Sequence, residues 1–102
     1  MDFGDVLRSM KENPDRMFAR EGWNGKGMYI FYTPSHYVPV SEWKGKIPKD
    51  CVIKKINLDT SETEDVVAIE GHIDMKSAVN TLVIGWLASQ TDMVAEDWEE
   101  VF

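Results

Sequence analysis

Apolar residues open the chain at three- and four-residue spacing, with Phe3, Val6, Leu7 and Met10 forming one stripe. That period predicts an amphipathic helix. Asp2 is placed to cap it, and Asn13-Pro14 stops it, because the residue before a proline is driven out of the helical region. Aromatic and β-branched runs then predict strands at Arg16–Arg20 and Gly27–Thr33, with an edge strand near Tyr37–Val40 and another over Cys51–Leu58. Between the first two lies Glu21-Gly22-Trp23-Asn24-Gly25-Lys26-Gly27, in which Asn24-Gly25 is a type I′ hairpin signal. Asp59–Asp65 is polar and acidic and is expected to be an exposed, mobile loop.

Two further arms, Gly71–Lys76 and Thr81–Trp86, bracket the turn Ser77-Ala78-Val79-Asn80 and predict a central hairpin. By the two-residue strand period, Ile73 and Met75 point one way and His72, Asp74 and Lys76 the other. That polar face either lines a pocket, presenting an acceptor beside a cation, or meets bulk water. Ser89 followed three residues later by Asp92 approximates a capping box and starts a short helix over about residues 90 to 97. Trp86 and Trp98 flank it as a clamp, and Trp98–Phe102 closes the sheet, with Trp98, Glu100 and Phe102 on one side. The fold class is α+β: one small antiparallel sheet with an N-terminal helix and a short C-terminal helix.

A chain of 102 residues with 43% hydrophobic content and 11% aromatics suits one folded domain with a modest core. The lone Cys51 forms no internal disulfide and is expected to be buried or half-buried. No opening signal peptide and no apolar run near the roughly 18 residues that span a bilayer point to a cytoplasmic protein without membrane contact. Of the net charge of −7, residues 59–102 contribute only Lys76 against eleven acids. Duplex nucleic acid binding depends on Lys and Arg neutralising phosphates, so this balance argues against it. Lys44, Lys46 and Lys49 beside Trp43 read as a solvated loop.

Catalytic chemistry finds little footing. His36, His72 and one Cys make no zinc-ligand spacing, and there is no Gly-x-Ser-x-Gly elbow, Walker loop or dinucleotide fingerprint. The sequence requires no cofactor, and a non-enzyme is the expectation. What remains is a binding constellation: flat faces on Trp23 and Trp86, directional hydrogen bonds from Asn24, Gln90, Thr91 and Asp92, and phosphate partners in Lys26 and Lys76. Trp23 is open to two readings, a ring folded over the sheet or an exposed stacking platform.

Trp86-Leu-Ala-Ser-Gln-Thr-Asp-Met-Val-Ala-Glu-Asp-Trp98 closely resembles the C-terminal signature of the second Thoeris anti-defence family of small phage and prophage proteins. The resemblance extends to Met1–Leu7, Arg20–Met28 and His72–Lys76, whereas residues 34 to 70 do not obviously match. About residues 41–70 read as a variable insertion in a single domain. The resemblance implies a homotetrameric, non-enzymatic sponge in the cytoplasm of the infected bacterium. Its ligand would be the cyclic ADP-ribose isomer of Thoeris immunity, with CBASS cyclic dinucleotides held at separate sites in some members. Matching positions and side-chain chemistry together nominate Trp23 for stacking, Asn24 and Asp92 for base or ribose edges, Lys26 for phosphate, and Trp86, Gln90 and Thr91 as walls or polar contacts. Asp74 joins them from the third block. The rivals are an acidic inhibitor using residues 59–102 to occupy a host defence protein, and a nucleotide hydrolase.

Overall fold

A computed structural model describes residues Met1–Phe102, which divide into two compact units, residues 1–34 with 72–102 and residues 35–71. The fold is α+β, with two antiparallel sheets where the sequence suggested one.

In the first unit, helix α1 (Phe3–Glu12) starts where the Asp2 carboxylate accepts the Asp5 N–H at 2.8 Å and ends at extended Asn13. Its stripe of Phe3, Val6 and Met10 is buried, with Leu7 packed beside it. The five-stranded sheet holds β1 (Met17–Arg20), β2 (Tyr29–Thr33), β6 (His72–Lys76), β7 (Leu82–Val83) and β8 (Trp98–Val101) in the order β7-β6-β2-β1-β8. Phe18 of β1, Ile30 of β2 and Trp98 of β8 complete the core with the helix stripe, and Phe18 and Ile30 are fully buried. Each such side chain contributes about 1.5–3 kcal/mol. By register, Met17, Ala19, Tyr29, Phe31, Glu99 and Val101 share the opposite sheet face.

Residues 35–71 form their own sheet, β3 (His36–Pro39), β5 (Thr63–Ile69) and β4 (Val52–Ile56) side by side in that order, around buried Val66 and Val67. The acidic stretch 59–65 is exposed as expected, apart from half-buried Glu64, but only its first part is a loop. The Asn57 side chain accepts the Asp59 N–H at 2.9 Å, the Asn57 N–H reaches Glu62 at 2.8 Å, and β5 already begins at Thr63. Cys51 is exposed rather than buried, because it ends a 3₁₀ turn (Lys49–Cys51) and precedes the strand.

Three more expectations in the first unit are corrected. The hairpin of β6 and β7 is peripheral, since β7 is a two-residue edge strand. Gly85, at φ +70°, bends the chain away so that its N–H reaches Asp74 and the Trp86 N–H reaches the Ile73 carbonyl, which carries Trp86 inward. Helix α2 (Gln90–Val94) is shorter than predicted, although the Ser89–Asp92 capping box forms in both directions. Trp98 turns back beneath it, its indole N–H donating to the Asp92 carbonyl at 2.9 Å. Phe102 lies outside β8 and is fully exposed, so the closing strand ends one residue earlier than expected.

Candidate functional site

The longest connection within the first unit that carries candidate residues joins β1 to β2, and three separate tethers shape it. Arg20, the last residue of β1, directs its Nε to Asp97 and its Nη1 to Asp92, each at 2.9 Å. Asp97 then accepts the Gly22 N–H at 2.8 Å on its other oxygen, while its carbonyl takes the Glu21 N–H at 3.1 Å. These bonds wind Glu21–Trp23 into a 3₁₀ turn. At the far end, the Lys76 ammonium donates to the Gly27 carbonyl at 2.8 Å.

Between those tethers, Asn24 (φ +58°) and Gly25 (φ +64°) are both left-handed, and the Lys26 N–H reaches the Trp23 carbonyl at 3.4 Å. The type I′ signal therefore operates, as the apex of a longer loop instead of a two-residue hairpin. Strand β1 stops at Arg20 because the Arg20 and Asp97 contacts draw the chain away from β2.

Loop and sheet enclose a cleft of about 440 Å³ whose floor is Ala19, Glu99 and Val101 and whose wall runs from Arg20 through Trp23, Asn24 and Lys26 to Tyr29. That volume lies within the range of about 300–1,000 Å³ typical of small-molecule sites. Trp23 serves both readings of its role: it is half-buried, meets Trp98 and Trp86 edge-to-face at 5.2 and 6.2 Å, and also lines the cleft. Rings at Trp23 and Tyr29 supply apolar surface, the Lys26 ammonium supplies positive charge, and Glu21 and Glu99 supply acceptors.

Of the nominated residues, Trp23, Asn24 and Lys26 come together here. The other five do not line the cleft. Trp86 stands behind Trp23 in the aromatic cluster, 6.5 Å from both Phe3 and Trp98. Gln90 and Thr91 are exposed in the first turn of α2. Asp92 is committed to structure, with one oxygen on Arg20 and the other on the Ser89 N–H. Burial pushes its carboxyl up, but the hydrogen bonds from Arg20 and Ser89 outweigh that and hold it below the usual carboxylate range. Asp97 is likewise held low, chiefly by Arg20 and then by the Gly22 N–H.

Asp74 is buried at 3% exposure and points to neither a pocket nor bulk water. It accepts from the Thr33 hydroxyl at 2.6 Å and the Gly85 N–H at 2.9 Å, with His72 Nε2 at 3.2 Å. These are the bonds of a structural carboxylate. Sequence reasoning missed Arg20, Tyr29 and Asp97. Arg20 and Asp97 sit inside the two motif blocks, and an arginine closing a strand just before a glycine loop was the available signal. No three His, Cys, Asp or Glu side chains gather as metal ligands would.

The chain matches the Thoeris anti-defense 2-like domain over residues 1–101, the middle segment included. It is 30% identical over 101 residues to a protein of Bacillus phage SP01, Thoeris anti-defense 2, a match covering 99% of this chain and 94% of that protein.

Proposed function

From the chain's membership of the Thoeris anti-defense 2-like family, we propose that it is a phage-encoded sponge that holds the cyclic ADP-ribose isomer of Thoeris immunity without cleaving it. An anti-defence role is what the membership supports directly. One observation carries it: the family-motif residues Trp23, Asn24 and Lys26 converge on a single nucleotide-sized cleft that Tyr29 also lines. Trp23 stacks on the base, Asn24 binds a base or ribose edge, and Lys26 meets the pyrophosphate. Arg20 and Asp97 hold the loop that presents all three.

Magnitudes extend the reading to assembly. One stacking contact of about 1–3 kcal/mol and two charge-assisted hydrogen bonds of about 1.5–3 kcal/mol each come to roughly 4–9 kcal/mol. Nanomolar binding needs about 12. Enclosure by a neighbouring copy makes up the difference by removing water from the charged contacts, which suits a homotetramer in the bacterial cytoplasm. CBASS cyclic dinucleotides, of similar charge and aromaticity, are a second ligand class.

The test is a calorimetric titration of the purified protein with the cyclic ADP-ribose isomer, followed by heat denaturation and chromatography of the released nucleotide. Tight binding with intact nucleotide recovered is the expected result. An altered nucleotide makes the protein a hydrolase. No heat with this ligand or with cyclic dinucleotides leaves the acidic protein-interaction inhibitor in its place.

A further inference from the structure

The cleft is short of positive charge for the ligand proposed for it. Of its cationic lining residues, Arg20 is committed to Asp97 and Asp92, which leaves Lys26, while Glu21 and Glu99 add carboxylates. A doubly charged pyrophosphate is not matched by one ammonium, so further donors have to come from elsewhere. The loop apex supplies them. The sign of φ alternates from Gly25 (+64°) through Lys26 to Gly27 (+79°) and Met28. Such alternation turns successive backbone N–H groups into one concavity that suits an anion. The N–H groups of Gly25, Gly27 and Met28 donate to no acceptor of the chain, and all three residues line the cleft. Met28 is half-buried, where an unpaired N–H is costly.

Lys76 fixes the direction of the last of these donors. Register places Glu99, Ala19, Tyr29 and Lys76 in one row across the sheet, so Tyr29 stands between Lys76 and the floor of the cleft, which Lys76 does not line. The Lys76 ammonium lies 5.8 Å from the centre of the Tyr29 ring and binds the Gly27 carbonyl at 2.8 Å from that far side. The peptide joining Gly27 to Met28 is planar and trans, so a carbonyl drawn towards Lys76 turns the Met28 N–H the opposite way, towards the cleft. Released from Lys76, the same peptide is free to present its oxygen, which repels a phosphate. The clasp also requires glycine: a Cβ at Gly27 would sit 3.2 Å from the ammonium, at a positive φ.

We propose that the backbone from Gly25 to Met28 is the phosphate subsite of the cleft, and that Lys76 is a positioning residue for it, acting through the Gly27 carbonyl and not by touching the ligand. The inference rests on the nucleotide-sponge reading and assigns the pyrophosphate to this side of the cleft. Lys26 then adds its charge to a cradle that neutral amides have already shaped, and the Tyr29 ring is backed by the same ammonium that sets the cradle.

Amide magnetic resonance of isotope-labelled protein titrated with inorganic pyrophosphate tests it. The Gly25, Gly27 and Met28 signals of the wild type should move saturably, stay still in Lys76→Met and move again in Lys76→Arg, with circular dichroism alike in all three. By calorimetry, Lys76→Met should bind the cyclic ADP-ribose isomer about tenfold more weakly, as for one charge-assisted hydrogen bond lost. That deficit should persist in about 1 M sodium chloride, which screens a charge acting at a distance. Pyrophosphate shifts that survive Lys76→Met unchanged, or a deficit that salt abolishes, overturn the positioning role. Signals that stay still with both pyrophosphate and the isomer, in a protein that binds the isomer by calorimetry, overturn the subsite and leave the sponge reading standing. Pyrophosphate shifts in a protein that binds no isomer overturn the sponge reading and support the anion subsite alone.

Discussion

Trp23 stands where the aromatic core becomes the wall of the cleft, so its substitutions should separate packing from binding. Trp23→Ala removes both a stacking surface worth about 1–3 kcal/mol and the edge-to-face contacts with Trp98 and Trp86. The expected result is a loss of affinity for the cyclic ADP-ribose isomer of about 5- to 150-fold by calorimetry, with a lower Tm. Trp23→Phe should recover most of the Tm and only part of the affinity. Asp74 predicts the opposite split. Asp74→Ala strands the Gly85 N–H and the Thr33 hydroxyl, a loss of about 1–3 kcal/mol, and should lower the Tm while leaving affinity within about twofold. Strand periodicity correctly put Asp74 on the face opposite Ile73 and Met75. It could not reveal that Thr33, from β2, and Gly85, past β7, close over that carboxylate.

Among the elements, those defined by near neighbours were legible in the sequence. The Asp2 cap of α1 and the Ser89–Asp92 box of α2 each join residues three apart, and both form. What escaped was set by partners distant in the chain: Arg20 meets Asp97 across 77 positions and Asp92 across 72. This brace links the end of β1 to α2 and to the residue just before β8, and its pH dependence has a definite sign. Both carboxyls are held below their unfolded values of about 3.9. Their stabilisation is accordingly complete above pH 4 and is lost as pH falls through the lower folded values. Arg20→Leu should lower the Tm at pH 7, because a single guanidinium holds both carboxylates. The gap from wild type should narrow as the pH is taken below about 4. Arg20→Lys should not restore the Tm, because one ammonium cannot serve two carboxylates in the planar fork that Arg20 supplies. Because the same brace sets the Glu21–Trp23 turn, Arg20→Leu should also weaken ligand binding, which a brace with a purely structural role would not do.

For the molecule as a whole, sequestration and hydrolysis differ in what happens as the protein runs out. A sponge with Kd far below the messenger concentration keeps free messenger near zero until its sites are filled. Beyond that point free messenger rises one for one with the total. A hydrolase has no such breakpoint, and given time it clears any excess. Mixing a fixed amount of protein with increasing cyclic ADP-ribose isomer and measuring the free nucleotide by ultrafiltration should therefore show a sharp break at the site concentration. The break should not move between minutes and hours of incubation. Bound ligand also stabilises only the folded state, by about 2.7 kcal/mol at 100 times Kd, so the Tm should climb with ligand and report the same Kd. In Trp23→Ala the weaker affinity should round the break without shifting the number of sites, because the cleft remains while its stacking wall is gone. A break that drifts to higher total nucleotide with time would show turnover, and the acidic carboxylates around the cleft, Glu21 and Glu99, would then be the first side chains to remove.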